Sequence, residues 1–500
     1  MPHEHRFVTL GRRMFEPTEL LTRAQRAVEA GRFEEARLSY TRALEHTPAS
    51  IDALRGLGYS LFQLRDLSGS LEAVERALRI DPSDLLSRLL MGRLCLRLQQ
   101  PGGAVGHFRA ILQRIGDSAA ARSGLIDAYL ALGQFAEAVT LCQDILRGDA
   151  QSEVGHLAAA RLAGFLDDHE TALKHFETLV QTRPGNASHR YNRGLCLLKL
   201  GRYEQGWRDH EFRFAAGAVN LRLPASPRWS GAPVQRLLVV AEQGLGDAIL
   251  FARFIREAAA QAGELVLACP DALVAVLGRS LGCACVTDSA AAWPEHDAHV
   301  PLMSLPHVLG LGASAVASRP AYLEPDAARC ARWSGLIGPR LQAEFRIGIV
   351  HATSVAHSTE ENPWTRRSCR PADLEPLTQI AGVVAYNLNL GRAARQARTE
   401  LPALRGLPAE LGDFDDTAAV LGLMDAVVCV DTATVHLAGA IGKDACLLLP
   451  SARDWRWRPQ EQRLPWYPGV EAFAQQEAGQ WREPVAQLRA RLAARIRPTS

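Results

Sequence analysis

The sequence predicts two architectures in one chain: an all-helical repeat array, then two α/β halves built on parallel sheets. Three observations lead there. Small residues stand at Ala36, Ser70, Ala104, Ala138, Ala172 and Gly206, each 34 positions after the last. Beyond Phe214 that register stops, and apolar runs of strand length alternate with helical stretches. None of the nine tryptophans precedes Trp207, so the indole chemistry belongs to the later region.

Composition narrows the function classes. Over 500 residues, 47% hydrophobic and 22% charged content describes a globular chain of two or three domains. With 56 basic against 54 acidic residues, nothing favours a nucleic-acid partner or an anionic membrane. Met1 to Leu20 lacks the apolar core of a signal peptide, and no run of about 18 apolar residues provides a membrane span. Ten cysteines without paired spacings read as buried, reduced thiols, and the expected compartment is the cytoplasm.

The repeat comes first in chain order, over residues 17–215. Tyr40, Val74, Phe108, Cys142 and Phe176 hold the apolar site four residues after each small one. Gly58, Gly92 and Gly194 share a second phase, Gly31, Gly133 and Gly201 a third, and Pro48, Pro82 and Pro184 a fourth. Small residues let paired helices approach, glycine turns the chain and proline ends the second helix. Such a pair is stable only when stacked, which makes a solenoid of about six units with a concave face suited to a protein or peptide. A bare supporting stalk is the other reading.

A linker, residues 216–235, carries two prolines in Leu221-Arg-Leu-Pro-Ala-Ser-Pro-Arg-Trp-Ser230. Strands are then expected at Arg236–Ala241, Glu264–Cys269, Arg346–His351, Gly382–Leu388, Ala426–Val430 and Ala445–Leu449. Helices are expected at Ala248–Ala260, Thr417–Met424, Thr432–Ile441 and Pro484–Ile496. The stretch Ser318–Pro325 separates two Rossmann-like halves, 236–340 and 341–482, closed by an amphipathic helix in 483–500. A ligand would lie between them, at the carboxyl ends of the strands.

Two strand-to-helix turns carry chemistry. In Ala241-Glu-Gln-Gly-Leu-Gly-Asp247, Gly244 and Gly246 allow a tight turn and close backbone approach of a ligand beside Gln243. Ile249 stands where a dinucleotide fingerprint needs its third glycine, and Asp247 could simply cap the helix. In Val428-Cys-Val-Asp431-Thr-Ala-Thr434-Val-His436, a strand ends at Asp431 and hydroxyls occupy the first helical turn. Its free N–H groups and dipole suit a diphosphate, with Thr432 and Thr434 as added donors. A capped helix with a core histidine at His436 fits the same residues.

The repeat resembles the tetratricopeptide repeat, best at Gly31-Arg-Phe-Glu-Glu-Ala36 and Gly201-Arg-Tyr-Glu-Gln-Gly206. Together with Glu242-Gln-Gly-Leu-Gly-Asp-Ala-Ile249 and Asp431-Thr-Ala-Thr-Val-His-Leu-Ala-Gly-Ala440, the chain is similar to bacterial repeat-containing glycosyltransferases. Their catalytic region is of the GT-B fold, family nine, heptosyltransferase-like. Tyr203-Glu-Gln-Gly-Trp207, Asp454-Trp-Arg-Trp457 and Pro465-Trp-Tyr-Pro468 extend the likeness over most of residues 200–480. The resemblance implies that Asp247 is a general base and that Asp431, Thr432, Thr434 and His436 bind the donor diphosphate. It also implies an Arg-Ser site at Arg366-Arg-Ser368, which the insertion Val355–Trp364 displaces from the expected alignment. A solvated loop is the other reading of Arg366 and Arg367.

The implied activity is inverting, metal-independent transfer of a sugar from a nucleotide-sugar to an acceptor, a protein recruited by the repeats. No cofactor is expected, since the nucleotide-sugar is a substrate. The competing readings are a repeat scaffold with a degenerate nucleotide-sugar domain, a glycan-acceptor transferase and an epimerase on the same fold.

Weaker signals have plain explanations. Asp413-Phe-Asp415-Asp416 resembles a metal-binding run but precedes a helix, as an acidic N-cap would. Cys283, Cys285, His296 and His299 lack a usual zinc spacing and read as buried thiols with surface histidines. Trp455, Trp457, Trp466 and Tyr467 stack on a base or sugar, or pack the C-terminal helix against the sheet.

Overall fold

The computed structural model describes residues 17–316, 321–342, 344–353, 367–457 and 464–496. The insertion Val355–Trp364, Arg366 and part of the proline-bearing stretch Ser318–Pro325 lie outside the described residues.

Twelve helices precede the first strand among the described residues. They are α1 (Pro17–Glu29), α2 (Phe33–His46), α3 (Ile51–Gln63), α4 (Leu67–Ile80), α5 (Leu85–Arg97), α6 (Pro101–Ile115), α7 (Ala119–Ala131), α8 (Phe135–Gly148), α9 (Glu153–Phe165), α10 (His169–Thr182), α11 (Ala187–Lys199) and α12 (Tyr203–His210). The six small residues of the register are buried, as are Tyr40, Val74, Phe108, Cys142 and Phe176 one helical turn later. The glycine phase inside the helices serves close packing. A Cβ at Gly92 would stand 2.6 Å from the Phe108 ring, and one at Gly194 would stand 2.9 Å from the Asp209 backbone.

The turn phase is broader than the glycines suggested. Gly31, Gly133 and Gly201 have φ near +70°, and Arg65, Gln99 and Asp167 take up the remaining places of the same period with φ of 64°, 60° and 61°. A left-handed residue therefore turns the chain between the two helices of every pair, whether or not it is glycine.

Two parallel sheets follow. The first contains β1 (Val234–Val240), β2 (Ala262–Cys269), β3 (Ala284–Thr287) and β4 (Ala298–Pro301), in the order β3-β2-β1-β4. The second contains β5 (Phe345–Val350), β6 (Val383–Asn387), β7 (Arg405–Gly406), β8 (Ala426–Val430), β9 (Ala445–Leu449) and β10 (Val470–Ala474), in the order β10-β9-β8-β5-β6-β7. The connection direction reverses next to β1 in the first sheet and between β5 and β8 in the second. Near-continuous burial of β8 and β9 explains their unbroken Val, Leu and Cys content.

Some expected elements are corrected. Ala248–Ala260 is two helices, Leu245–Ala252 and Ile255–Ala259, because the chain leaves the helical path at Arg253 and Phe254. The helix expected at Thr417–Met424 runs Phe414–Leu423, starting on its acidic cap. Cys283, Cys285 and Cys330 are half-buried, and the other seven cysteines are buried.

Contacts divide the chain into two compact units, one up to Ala158 and one from Ala159. The second unit thus contains α10–α12 as well as both sheets. Its core explains why: Trp207 lies 5.8 Å from Phe251 and 5.7 Å from Trp455, and Tyr203 lies 6.1 Å from Trp466. Trp455 and Trp466 therefore pack the last repeat helix against the α/β region, Trp457 and Tyr467 pack on His436, and the C-terminal helix has a core of its own. That helix, Arg482–Ile496, buries Val485, Leu488 and Leu492 in a separate cluster with Trp481, Leu374 and Leu377.

Candidate functional site

The first turn is fixed from below by a buried ion pair. Arg213, just after α12, donates to both oxygens of Glu242 at 2.7 and 2.9 Å, with neither side chain exposed. Glu242 also accepts the Met303 N–H at 3.2 Å. Gln243 follows with φ +62°, an uncommon conformation for a non-glycine residue, and is exposed at the cavity edge. Asp247 Oδ2 accepts the Gly244 N–H at 3.2 Å, which is the capping role the residues allowed. Its other oxygen, Oδ1, accepts from Arg456.

Gly246 lines the cavity and also serves helix packing. A Cβ there would lie 2.7 Å from His436 Cδ2 and 3.5 Å from the Ala433 Cα. Its missing side chain lets the helix Leu245–Ala252 of one sheet meet the helix Ala433–Ala440 of the other.

In the second turn, β8 delivers Asp431 to its carboxyl end, and Thr432 is the N-cap of the helix Ala433–Ala440. Thr432 makes no side-chain cap, and its Oγ1 is buried without a hydrogen-bond partner. Burial pushes the Asp431 carboxyl above its usual range against the pull of Arg367, whose Nη1 stands 3.5 Å away. His436 is buried, its ring 4.8 Å from Trp457 and its Nδ1 3.3 Å from Tyr467 Oη. Burial, reinforced by Arg456, drives its pKa well below 6.5, so it stands neutral in the site.

These turns face one cavity of about 550 Å³. Gln243, Gly244, Gly246, Asp247, Asp431, Thr432 and His436 all line it. Thr434 and Ser368 do not; Ser368 accepts the Thr353 N–H at 3.1 Å, and Thr353 lines the cavity in its place. Ala218, Leu245, Arg367, Ala433, Asp454 and Arg456 complete the wall. Arg456 lies in the motif Asp454-Trp-Arg-Trp457, where the tryptophans are the more conspicuous residues. The missed signal is an arginine between two indoles in the loop after a buried strand.

A second cavity of about 520 Å³ adjoins the first, sharing Arg367, Asp431 and Asp454 with it. Its other wall comes from α9–α11, through residues such as Phe165, Phe176, Asn192 and Leu195. Lys199 Nζ donates to the Arg453 carbonyl at 2.7 Å, tying α11 to the loop that carries Asp454 and Arg456.

The weaker signals resolve into structural contacts. Asp413 accepts the Asp416 N–H as an N-cap and pairs with Arg329 at 2.8 Å. Asp415 takes Arg279 at 2.6 Å, and Asp416 takes Trp333 Nε1 at 3.0 Å. His296 and His299 share Ser226 Oγ at 2.8 and 3.0 Å, and His299 is buried where a surface position was expected. No group of three or more His, Cys, Asp or Glu among the described residues is arranged to hold a metal. No helix among them is long and apolar enough to cross a membrane.

Tetratricopeptide-repeat family models match residues 21–84 and 157–206, and residues 96–162. Protein FlbA of Caulobacter vibrioides is 26% identical over 464 residues, covering 87% of this chain and 71% of that protein. A tetratricopeptide repeat protein of Parabacteroides merdae matches 40% of this chain and 79% of its own at 19% identity and a TM-score of 0.33. A thermophilic one from Thermus thermophilus matches 37% and 100% at 18% identity and a TM-score of 0.34. On the matched families and the helix pairs together, residues 21–84 and 96–206 are tetratricopeptide repeats.

Proposed function

We propose that this protein is a glycosyltransferase of GT-B architecture, similar to the heptosyltransferases, which moves a sugar from a nucleotide-sugar to a protein acceptor. The observation that carries the reading is the shared cavity at the two chain reversals. One wall is a carboxylate in the first turn of a helix, Asp247; another is an open helix N-terminus with a buried, unpartnered Thr432 hydroxyl. Ligands of open parallel sheets bind at such reversals, and the order β7-β6-β5-β8-β9-β10 is that of a doubly wound nucleotide-binding sheet. The two sheets are then the Rossmann-like halves of the transferase.

In this reading the donor diphosphate lies on the N-terminus of Ala433–Ala440, where N–H groups, Thr432 and Arg367 meet its charge without a metal. Asp247 takes the proton of the acceptor O–H as that oxygen bonds to the anomeric carbon. The bond from that carbon to the diphosphate breaks, and nucleoside diphosphate leaves with inversion. The acceptor comes along the repeats. The second cavity supports this route, since α9–α11 line it and it shares Arg367, Asp431 and Asp454 with the first.

The pairing of Asp247 with both Arg456 and Gly244 favours the other reading, a repeat scaffold whose sheets keep nucleotide affinity alone. Two measurements separate them. Purified protein offered UDP-, GDP-, ADP- and CMP-linked sugars releases nucleotide from one of them, and proteins of cells with and without this chain differ by a glycan mass. Absence of both turnover and mass shift, in a protein that still binds nucleotide, leaves the scaffold.

A further inference from the structure

Arg456 ties the first turn to the loop that follows β9. It follows β9, with its side chain 12% exposed and its Cζ 4.5 Å over the Trp455 ring. One arm of the fork donates to Asp247 Oδ1, and the other donates to Asp454 Oδ1 at 2.7 Å. Its Nε is buried without a hydrogen-bond partner. With Gly244 on Oδ2, both oxygens of Asp247 are engaged.

The charges of the cavity make this pairing consequential. Asp247, Asp431 and Asp454 stand against Arg367 and Arg456. Each guanidinium is paired with a carboxylate, Arg367 with Asp431 and Arg456 with Asp247 and Asp454, so a dianionic diphosphate entering the cavity competes with three acids for two cations among the described residues. A fork that turned from its carboxylate to the diphosphate would add to the hold of the helix N-terminus. Arg456 is suited to do so: phosphate matches its planar geometry as well as carboxylate does, and its Nε is already unengaged.

We propose that Arg456 is a donor-gated clamp, which masks Asp247 in the empty site and leaves it for the diphosphate when donor binds. This rests on the donor-site reading above. Asp247 then becomes able to accept the acceptor proton only after the sugar to be transferred is in place, and donor binds before acceptor. As the bond between the anomeric carbon and the diphosphate oxygen breaks, Arg456 meets the charge that develops on the leaving group.

The test is calorimetric titration of UDP, GDP, ADP and CDP into the full chain. Wild type is compared with Arg456→Gln, Arg456→Lys, Asp247→Asn and the Asp247→Asn/Arg456→Gln pair, each checked for folding by thermal melting. For the nucleotide that wild type binds best, Arg456→Gln weakens affinity by about ten- to a hundred-fold, and Arg456→Lys recovers part of the loss. Asp247→Asn strengthens binding, because the fork loses its competing anion. The double variant binds like Arg456→Gln.

A structural ion pair predicts the opposite sign for Asp247→Asn, and weakening there overturns the gate. Unchanged affinity in Arg456→Gln overturns the clamp. Should Arg456→Gln fail to fold, Arg456→Lys and Asp247→Asn must still move affinity in opposite directions. A wild-type chain that binds none of the four nucleotides removes the donor site itself, an outcome distinct from either.

Discussion

At Asp247 two roles occupy one carboxylate, and asparagine separates them. Asn still offers an oxygen to the Gly244 N–H, so the helix start is kept. It cannot take a proton. Turnover of donor by Asp247→Asn should fall by about 10²- to 10⁴-fold with little change in melting temperature, measured as nucleotide release at saturating donor. Near-normal release from a folded variant would leave Asp247 with its capping role alone. Thr432 presents a converse case. Its hydroxyl is buried with no partner, which costs the empty protein about 1–3 kcal/mol if nothing else fills the place. Thr432→Val should therefore melt at the same temperature or higher while binding nucleoside diphosphate about two- to ten-fold more weakly. A variant that loses stability and keeps its affinity would show that the hydroxyl serves the fold.

At the scale of elements, the turns of the repeats hold a similar opposition. An L-residue in the left-handed region costs about 1–2 kcal/mol, and glycine returns about 0.5–1 of that through its freer unfolded chain. Gln99 sits there with φ +60°, where Gly31, Gly133 and Gly201 stand in other repeats. Gln99→Gly should raise unfolding free energy by about 0.5–1 kcal/mol in denaturant titration, and a loss would mean that the Gln99 side chain contributes more than its turn. The same phase shows what the sequence made legible. The buried small residues, the apolar site one turn later and the fully buried strands β8 and β9 each impose one residue type at one spacing. Short strands such as β7 and β3, and β4 with His299 inside it, impose no such pattern. The two site turns were readable as strand ends opening into helices. The purpose of Gly246 was not, because its partner His436 is 190 positions away in the chain. Arg456 was hidden for the same reason: only the folded aromatic cluster aims it at Asp247.

For the whole molecule, the boundary between repeats and sheets has a consequence that composition conceals. The change of pattern falls near residue 215, yet the second compact unit begins at Ala159. Cutting at the compositional boundary would remove Tyr203, Trp207 and Arg213. Trp207 is 1% exposed, and deleting such a ring from a core costs about 3–5 kcal/mol. Removing Arg213 strands the Glu242 carboxylate in a site with no exposure, which costs about another 3–5 kcal/mol. Together these approach the total of about 5–15 kcal/mol that holds a domain folded. The fragment 216–500 should accordingly be insoluble or melt without a cooperative transition. A fragment from residue 151 keeps α9–α12, the Arg213–Glu242 pair and both cavities. It should fold, bind nucleoside diphosphate like the full chain and release donor slowly, while losing transfer to an acceptor that needs the earlier repeats. Cooperative melting of 216–500 with full nucleotide affinity would mean that the last repeats only lean on the sheets. Full acceptor transfer by 151–500 would mean that the acceptor is chosen beside the cavity, by α9–α11, and not by the earlier array.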